Sequence, residues 1–569
     1  MVTAANAIEK ARRARELKGI KTDMERILKL PQTPDLTDAH IRMTKELCSH
    51  VDAPPLFPLQ GLVLEVAKRL PAPKGIIGAI GVGHGKTLAS FLLPVVWGCK
   101  KPVLLIPPAM RAQCRRDIQE WSEHYDFPMP HIVAYSELSS PTRGNILEVL
   151  QPDCIIADEA HCLRHPTAAR TKRFIRYMQK NPSTRFAALS GTLTSKSLQD
   201  YGHLCELALR GGSPLPLDRR TLDIWSSVLD PDGEPDRRAY KALMPMVAWH
   251  GEDTDSEAVY RKSFQARFRS TLGVVASEEG SVGCSLVLQE WDGYSQSPLM
   301  FRTGPGSAPW VIRRALQKLS SEWELPNGEY LADALEYMRA ARQLSLGFYY
   351  VWDWPDGSVD HEWNDARKAW NSACGSYLRY HSREGVDSES LLIKWITDGG
   401  GGRKLQNTYL AWARLKHRPA PPVKAVWISE DYIQDICTWA KKQKDPTLIW
   451  FKSRAVGEKM KEFGLPVHHK TDPVPGQTCG LSIAIHHKGR NYQSWSHNLV
   501  VEPSPTGATW EQMLGRTHRN GQKADTVYTT ICQDFWPQTR ALESARKQAK
   551  YIEETTGNKQ KLCYCDWTQ

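Results

Sequence analysis

The chain has 569 residues, of which 41% are hydrophobic and 24% are charged. This length exceeds what a single hydrophobic core supports, so several domains are predicted. No apolar run reaches the length of a membrane span, and the N-terminus lacks the apolar stretch of a signal peptide, so neither a membrane nor a secreted protein is expected.

Charge and cysteine content indicate the class of partner and the compartment. The formal net charge is +11, which favours a polyanionic partner because neutralised phosphates release counterions. A slightly basic, solvated surface is the alternative. The 13 cysteines lack paired metal-ligand spacing, with Cys563 and Cys565 the closest pair. This pattern favours reduced thiols in a cytosolic protein over a zinc site.

Residues 1–50 are predicted to form a helical segment, in which Lys10, Arg12, Arg13, Arg15, Lys18 and Lys21 interleave with apolar residues. A proline-rich patch follows. From 51 to 211, apolar runs alternate with helical segments, which predicts a parallel sheet covered on both faces. Its strands are expected at Ile76–Ile80, Val103–Ile106, His131–Tyr135, Cys154–Ala157 and Phe186–Leu189.

A second region of the same kind is predicted over 424–545. Its strands are expected at Leu448–Phe451, Leu481–Ile485, Asn498–Val501 and Val527–Ile531. The intervening residues 212–423 are predicted to be a helix-rich, Trp-rich insertion, and 546–569 a C-terminal tail. The sequence therefore predicts an α/β protein with two parallel-sheet lobes and an insertion between them.

A glycine-rich segment, Gly81–Thr87, follows the first predicted strand and precedes a helical run. Glycines in this context let backbone N–H groups cradle phosphate oxygens at a helix N-terminus. Lys86 is expected on the β- and γ-phosphates and the Thr87 hydroxyl on Mg²⁺. Ile80 stands where such loops usually begin with glycine, and a plain glycine-rich turn is the alternative. The candidate nucleotide-binding residues here are Gly81, Gly83, His84, Gly85, Lys86 and Thr87.

An acidic pair, Asp158 and Glu159, directly follows the fourth predicted strand. The carboxyl ends of parallel strands are where ligands bind in such sheets. Asp158 is expected to hold Mg²⁺ and Glu159 to orient or deprotonate the attacking water. A surface acidic pair without function is the alternative. Ser190-Gly191-Thr192 follows the next strand and either couples the site to domain movement or simply caps a turn.

Arg516 and Arg519 are three residues apart in the run Gln512–Gln522. The sequence predicts a helix here, with both guanidinium groups on one face and suited to phosphate. A solvated helix face is the alternative. An arginine at a phosphoryl-transfer transition state contributes roughly 10³–10⁵ in rate.

These blocks, in their order, resemble superfamily 2 helicases, and among them the Swi/Snf-type DNA translocases. Phe57-Pro-Leu-Gln60 resembles the family's adenine-reading motif, and Leu104–Pro108, continuing through Gln113 to Trp121, resembles the block that touches the tracking strand. Ala134–Leu138 and Ser190–Thr194 resemble further blocks of the family. Gly489-Arg-Asn-Tyr and the segment from Gly515 to Gln522 resemble those of the second lobe. The resemblance covers about 55–205 and 424–535.

The resemblance implies two RecA-like lobes with ATP and Mg²⁺ between them. Gln60, Gly489 and Gln512 are then expected to bind nucleotide, and Lys86, Asp158, Glu159, Arg516 and Arg519 to be catalytic. The chain departs from the family at His486-His-Lys488 and at Leu193. Its insertion lacks convincing matches to the protrusions of chromatin remodellers, and Phe264–Leu288 vaguely resembles the connecting segment of compact bacteriophage-type members. A stand-alone bacteriophage or bacterial enzyme of the (host) cytoplasm is expected.

Two other features have alternative interpretations. The aromatic run Tyr349–Trp354, with Trp363 and Trp370, could stack on bases, but core packing is favoured because Trp363 and Trp370 share one helix stripe. The pairs His468-His469 and His486-His487 could suggest metal, but they lack acidic or cysteine partners at ligand spacing.

Three functions remain open on the sequence alone. The first is an ATP-dependent translocase or helicase on duplex or forked DNA, and the second is the same engine acting on RNA. The third is a non-catalytic scaffold built on a decayed motor fold, against which the intact motif residues argue.

Overall fold

The computed structural model describes residues 21–48, 53–140, 142–252, 256–277, 282–291, 308–329, 331, 334–354, 357–380, 386 and 389–568. The chain divides into two compact units. Unit 1 contains Met1–Ser281 and Arg546–Tyr564, and unit 2 contains Val282–Ala545 and Cys565–Gln569. Residues 212–281 of the predicted insertion therefore belong to unit 1, and residues 282–423 belong to unit 2.

The N-terminal part of unit 1 is helical over two stretches. Residues 21–28 form a helix, and a second helix runs over Ala39–Leu47. The basic residues predicted on the N-terminal helical segment, apart from Lys21, lie outside the described residues.

A parallel sheet forms the centre of unit 1. Its strands are β1 Ile76–Ala79, β2 Pro102–Ile106, β3 His131–Ala134, β4 Cys154–Asp158, β5 Arg185–Ser190 and β6 Val274–Ala276. They lie in the order β3-β2-β4-β5-β1-β6, and each neighbouring pair is parallel. The five strands predicted in this region are confirmed, and β6 is contributed by the region that was predicted to be an insertion.

The two faces of this sheet pack into separate hydrophobic clusters. In β1, Ile77 and Ile76 belong to different clusters, and in β4 the same holds for Ile155 and Ile156. This alternation follows from the period-two geometry of a strand. Coverage on both faces, as predicted, explains why the strands are apolar throughout.

Helices supply the covering layers of unit 1. The first face packs against helices Ala39–Leu47, Pro58–Arg69, Lys86–Trp97 and Arg111–Ser122. The second packs against Tyr135–Ser139, Ile146–Leu150, Ala169–Lys180, Gly202–Leu209, Arg219–Leu229, Arg237–His250 and Glu257–Ser270. The last part of helix Trp536–Thr556 and the short helix Lys561–Tyr564 also belong to unit 1.

Unit 2 contains a second parallel sheet and one antiparallel pair. The antiparallel pair is β8 Phe348–Trp352 with β9 Val423–Trp427. The sheet strands are β7 Ser285–Trp291, β10 Thr447–Phe451, β11 Val467–His468, β12 Cys479–Ser482, β13 His497–Val500, β14 Thr526–Cys532 and β15 Asp566–Thr568. Their order is β11-β12-β10-β13-β14-β7-β15, and all neighbours are parallel. The protein is therefore α/β with two parallel sheets.

Three of the four strands predicted in this region are confirmed, and the strand predicted at Leu481–Ile485 is partly wrong. The strand ends at Ser482, and a short helix occupies Ile483–His486. The ring of His486 is buried and its Nδ1 lies 2.5 Å from the hydroxyl of Tyr492. This local contact accompanies the helical turn that replaces the end of the predicted strand.

The two tryptophans of the predicted helix stripe are buried in the hydrophobic core, which is the interpretation that the sequence favoured. Trp363 and Trp370 lie on helix His361–Tyr380 and are 3% and 0% exposed. Trp363 contacts the rings of Trp352 and Trp354, and the Trp370 indole donates to Glu389.

The other helices of unit 2 are Ala308–Glu322, Ala334–Leu344, Glu389–Thr397, Gly402–Leu415, Asp431–Lys442, Arg454–Glu462, Gly507–Leu514 and the first part of Trp536–Thr556. Within the described part of the chain, no helix is both long and apolar enough to cross a bilayer.

Candidate functional site

Three predicted motif segments meet at one edge of the unit 1 sheet. The loop Gly81–Thr87 follows β1, the acidic pair ends β4, and Ser190–Thr192 ends β5. Because β5 lies between β4 and β1, the carboxyl ends of these strands are neighbours. This edge is where parallel α/β sheets bind ligands.

The glycine-rich loop has the backbone conformation that its sequence predicts. Gly83 and Gly85 have φ angles of +99° and +70°, which glycine adopts without strain. A Cβ on Gly85 would also fall 2.3 Å from the side-chain nitrogen of Gln60. Helix Lys86–Trp97 begins directly after Gly85, so the N–H groups of its first turn face the loop. This arrangement suits an anion.

Gln60 was predicted to recognise adenine. In the structure its carboxamide is bonded to the loop Gly81–Thr87. Its oxygen accepts a hydrogen bond from the backbone N–H of Phe57 at 2.8 Å, and its nitrogen donates to the carbonyl of Gly85 at 2.9 Å. The side chain is buried. Gln60 thus joins helix Pro58–Arg69 to the phosphate-loop candidate.

Lys86 and Glu159 form a buried ion pair at the centre of the site. The ammonium lies 3.4 Å from the Glu159 carboxylate and donates to the carbonyl of Ile80 at 3.1 Å. The second Glu159 oxygen lies 3.1 Å from Nδ1 of His161, which is also 3.1 Å from the hydroxyl of Ser190. One contact network therefore joins the loop after β1 with the ends of β4 and β5.

Glu159 is held in an uncommon backbone conformation, with φ +58°. Left-handed backbone at a non-glycine residue concentrates at functional sites. Burial opposes a charge on His161, but hydrogen bonds with Cys162 and Glu159 prevail and raise the pKa of its imidazole to about 9. A cationic His161 then orients the Glu159 carboxylate.

Asp158 is the innermost charged group of the site, 3% exposed. Burial and the neighbouring Glu159 carboxylate raise the pKa of Asp158 to about 6, against the opposing effect of Lys86. The hydroxyl of Tyr135 donates to the Asp158 carbonyl at 2.9 Å and anchors the end of β4. Thr87 lies half-buried in the first turn of helix Lys86–Trp97. A hydroxyl and a carboxylate are the oxygen ligands that Mg²⁺ prefers.

The predicted residues of unit 2 gather around one turn. Arg516 is buried, and its guanidinium donates to the backbone carbonyls of Gln512 at 2.9 Å and Arg490 at 2.7 Å. Gly489, with φ +62°, precedes Arg490 and shapes this loop. Gln512 is itself buried on helix Gly507–Leu514. The glycine-asparagine block and the arginine block are thus structurally linked.

The helix predicted for Arg516 and Arg519 is wrong. Helix Gly507–Leu514 ends before both residues, which lie in consecutive turns. Gly515 follows the helix, and the side chain of His518 then bonds to the carbonyl of Cys284 at 3.0 Å. Such side-chain contacts with other segments hold the chain in turns. Arg519 is less buried than Arg516.

A basic cavity of about 500 Å³ opens at the carboxyl ends of β10 and β13 in unit 2. Its cationic lining residues are Arg339, Arg342, Lys452 and Arg454. Glu502 lies among them and accepts hydrogen bonds from the backbone N–H groups of Lys452 and Ser453. Burial raises the pKa of Glu502. The cavity therefore favours anions, and no sequence motif had indicated it.

The structure brings Cys99 next to the adjacent residues Asp153 and Cys154, which lie more than 50 residues later in the sequence. The side-chain ligand atoms of Cys99, Asp153 and Cys154 lie within 4.8 Å of one another. The Asp153 carboxylate accepts the backbone N–H groups of Lys100 and Lys101, which gives it a structural role. The positive charge of Arg185 acts on both thiols.

Cys99 is expected to react faster with iodoacetamide than Cys114. A hydrogen bond with Cys154 lowers the pKa of the half-buried Cys99 thiol, whereas burial raises the pKa of Cys114 to about 12. Because the thiolate is the nucleophile, Cys154→Ala should slow Cys99 alkylation at pH 8. Peptide mass spectrometry over time measures both rates, and equal rates at Cys99 and Cys114 would contradict this assignment.

The C-terminal segment places two residues beside the candidate site that no sequence motif had indicated. Asn558 and Gln560 both donate to the carbonyl of Gly191, next to the loop after β1. No glycine-rich or acidic signature marks this segment.

Unit 1 thus assembles Gln60, Gly81–Thr87, Asp158 and Glu159, while Gly489, Gln512, Arg516 and Arg519 belong to unit 2. No known protein family matches this chain, and no curated protein sequence matches it.

Proposed function

We propose that this protein is an ATP-dependent DNA translocase or helicase, and so an ATP hydrolase. The observation that carries the proposal is the contact network of Lys86, Glu159, His161 and Ser190, which lies next to Asp158 and beside a phosphate-loop candidate. A cation, two carboxylates and a helix N-terminus at one sheet edge are the groups that phosphoryl transfer requires.

Each residue of unit 1 has a distinct role in the proposed reaction. Lys86 and the backbone N–H groups of Gly81–Thr87 bind the β- and γ-phosphates. Thr87 and Asp158 would hold Mg²⁺, which neutralises charge on the phosphates when bound. Glu159 orients the attacking water and accepts its proton, and His161 with Ser190 positions the Glu159 carboxylate.

Arg519 is proposed to act on phosphate, and Arg516 is proposed to support it. A guanidinium donates in a planar fork that matches phosphate oxygens. Arg516 is anchored by the carbonyls of Gln512 and Arg490, and it shapes the turn from which Arg519 extends. Arg519 is therefore the arginine proposed to stabilise the charge that develops during transfer.

The fold supports, at the level of strand order, the RecA-like lobes implied by the resemblance to Swi/Snf-type proteins. In unit 1, β5 lies between β1, which the glycine-rich loop follows, and β4, which ends at the acidic pair. The second sheet is also parallel throughout. The proposed enzyme is of the compact bacteriophage or bacterial type and acts in the cytoplasm.

DNA is the proposed polymer because of charge and the terminal motif block. The formal charge of +11 and the four cations of the unit 2 cavity favour a polyanion. RNA is the second candidate, since phosphate contacts alone do not distinguish the two polymers. The segment Gly515–Gln522, which resembles the ending of DNA translocases, favours DNA.

Polymer-stimulated ATP turnover tests this proposal. Single-stranded DNA, duplex DNA, forked DNA and RNA are each added to the full-length protein, with Lys86→Ala protein as the matched control. Duplex or forked DNA is expected to raise turnover most, and the control to stay at background with every polymer. Stimulation by RNA alone would identify RNA as the polymer on which the protein acts. If the protein did not bind ATP, it would instead be a non-catalytic scaffold.

A further inference from the structure

Three polar side chains of the C-terminal segment are almost fully buried in unit 1. Asn558, Gln560 and Lys561 are 0%, 1% and 2% exposed. Burying a polar group is unfavourable unless it gains a partner, and burying an ammonium is more so. Their positions therefore indicate specific interactions inside unit 1.

Asn558 links the loop after β1 to the end of β5. Its amide nitrogen donates to the carbonyl of Gly191 at 2.5 Å, and its oxygen accepts from the hydroxyl of Ser277. That hydroxyl accepts from the backbone N–H of Gly81 at 3.0 Å. The segment is thus bonded to the first glycine of the phosphate-loop candidate.

Gln560 and Gly557 fix the path of the segment. The Gln560 amide donates to the Gly191 carbonyl at 3.2 Å. Gly557 has φ +72°, and a Cβ there would fall 2.2 Å from Cδ of Arg269. Glycine is required at this turn, which directs the chain from helix Trp536–Thr556 toward the site.

Lys561 directly follows Gln560, whose amide is bonded to the Gly191 carbonyl beside the same loop. Burial lowers the pKa of His84 to about 4, and the charges of Lys561 and then Lys86 add to this effect. His84 belongs to this loop and lies next to Gly81. A Cβ added to Gly81 would lie 3.2 Å from the His84 ring. The Lys561 ammonium donates to the phenol of Tyr564 at 3.1 Å. Two lysines, one from the loop and one from the C-terminal segment, therefore act on His84.

We infer that Lys561 is a second phosphate-binding cation of the nucleotide site, placed there by the C-terminal segment Gly557–Lys561. The ligand is the polyphosphate chain of a nucleoside triphosphate. This inference rests on the proposed ATP site at Lys86. It assigns a ligand-binding role to a segment that has no recognised motif.

Equilibrium titration with a fluorescent ATP analogue and Mg²⁺ tests the inference on the full-length protein. Lys561→Met removes the charge, Lys561→Arg keeps it, and Lys550→Met removes a surface charge as the matched control. Loss of one charge-assisted contact should weaken binding by about tenfold or more in Lys561→Met. Lys561→Arg should stay close to wild type, as should the Lys550 control. Lys561→Gln, which can still bond to Tyr564, replaces the Met variant if that variant does not fold.

The salt dependence of binding separates a phosphate contact from a structural role. Raising ionic strength screens charge pairs, so ATP affinity should fall less steeply with salt in Lys561→Met than in wild type. Unchanged affinity in Lys561→Met, or equal losses in the Met and Arg variants with an unchanged salt dependence, would overturn the inference.

Lys86→Ala protein distinguishes the inference from the function on which it rests. If Lys86→Ala abolishes ATP binding while Lys561→Met does not weaken it, only the role of Lys561 is wrong. If wild-type protein binds no ATP, the proposed function and this inference fall together.

Discussion

Glu159→Gln protein is expected to bind ATP almost as wild type does and to hydrolyse it about 10²–10⁴-fold more slowly with DNA present. The amide fills the same space but cannot accept the proton of the attacking water. Lys86 also donates to the Ile80 carbonyl, a contact that does not involve Glu159, so the phosphate-binding side of the site is expected to be retained. Equilibrium ATP binding and steady-state phosphate release measure the two effects.

Two further proteins make this result specific. Lys86→Ala should lose ATP binding itself, because the cation proposed to bind the β- and γ-phosphates is removed. Glu148→Gln changes an exposed carboxylate of unit 1 and should behave as wild type. Hydrolysis that persists in Glu159→Gln protein at the wild-type rate would show that the water is activated elsewhere.

Arg519→Ala is expected to lower DNA-stimulated hydrolysis by about 10³-fold or more, with ATP binding changed little. The physical reason is that a transition-state guanidinium interacts with charge that develops only during phosphoryl transfer. Arg519→Lys should recover only part of the activity, because an ammonium lacks the planar fork. Single-turnover hydrolysis measures the loss, and Arg540→Ala, an exposed position of unit 2, is the matched control.

Arg516 gives a contrasting expectation in the same assays. Its buried guanidinium holds the carbonyls of Gln512 and Arg490, so Arg516→Ala should lower both activity and thermal stability. Leaving such acceptors unsatisfied costs about 1–3 kcal/mol each. Arg519→Ala protein that loses stability as Arg516→Ala does, or keeps its full hydrolysis rate, would contradict the proposed division of roles.

Local sequence patterns were sufficient to predict the sheets and to place the candidate residues of unit 1 at one sheet edge. Continuous apolar runs such as Cys154–Ala157 predict buried parallel strands, and the order of strands and motifs places Asp158 beside the phosphate loop. The stripe of Trp363 and Trp370 likewise predicts the core that the structure contains. These predictions succeeded because they rest on periodicity and on interactions close in sequence.

Predictions failed where long-range contacts determine local structure. The turns at Arg516 and Arg519 are held partly by His518, whose partner Cys284 lies 234 residues earlier. Asn558 reaches a carbonyl 367 residues before it, and Cys99 meets Cys154 through strand order. Helical spacing alone could not indicate any of these contacts, because tertiary hydrogen bonds override local propensity.

This protein is proposed to move along DNA by ATP hydrolysis, and displacement of a third strand from a DNA triplex tests this claim most directly. Wild-type protein with ATP and Mg²⁺ is expected to release the labelled third strand, whereas wild type with ADP and Glu159→Gln protein with ATP should leave it bound. DNA-stimulated ATP hydrolysis by the wild type without any third-strand release would contradict the claim.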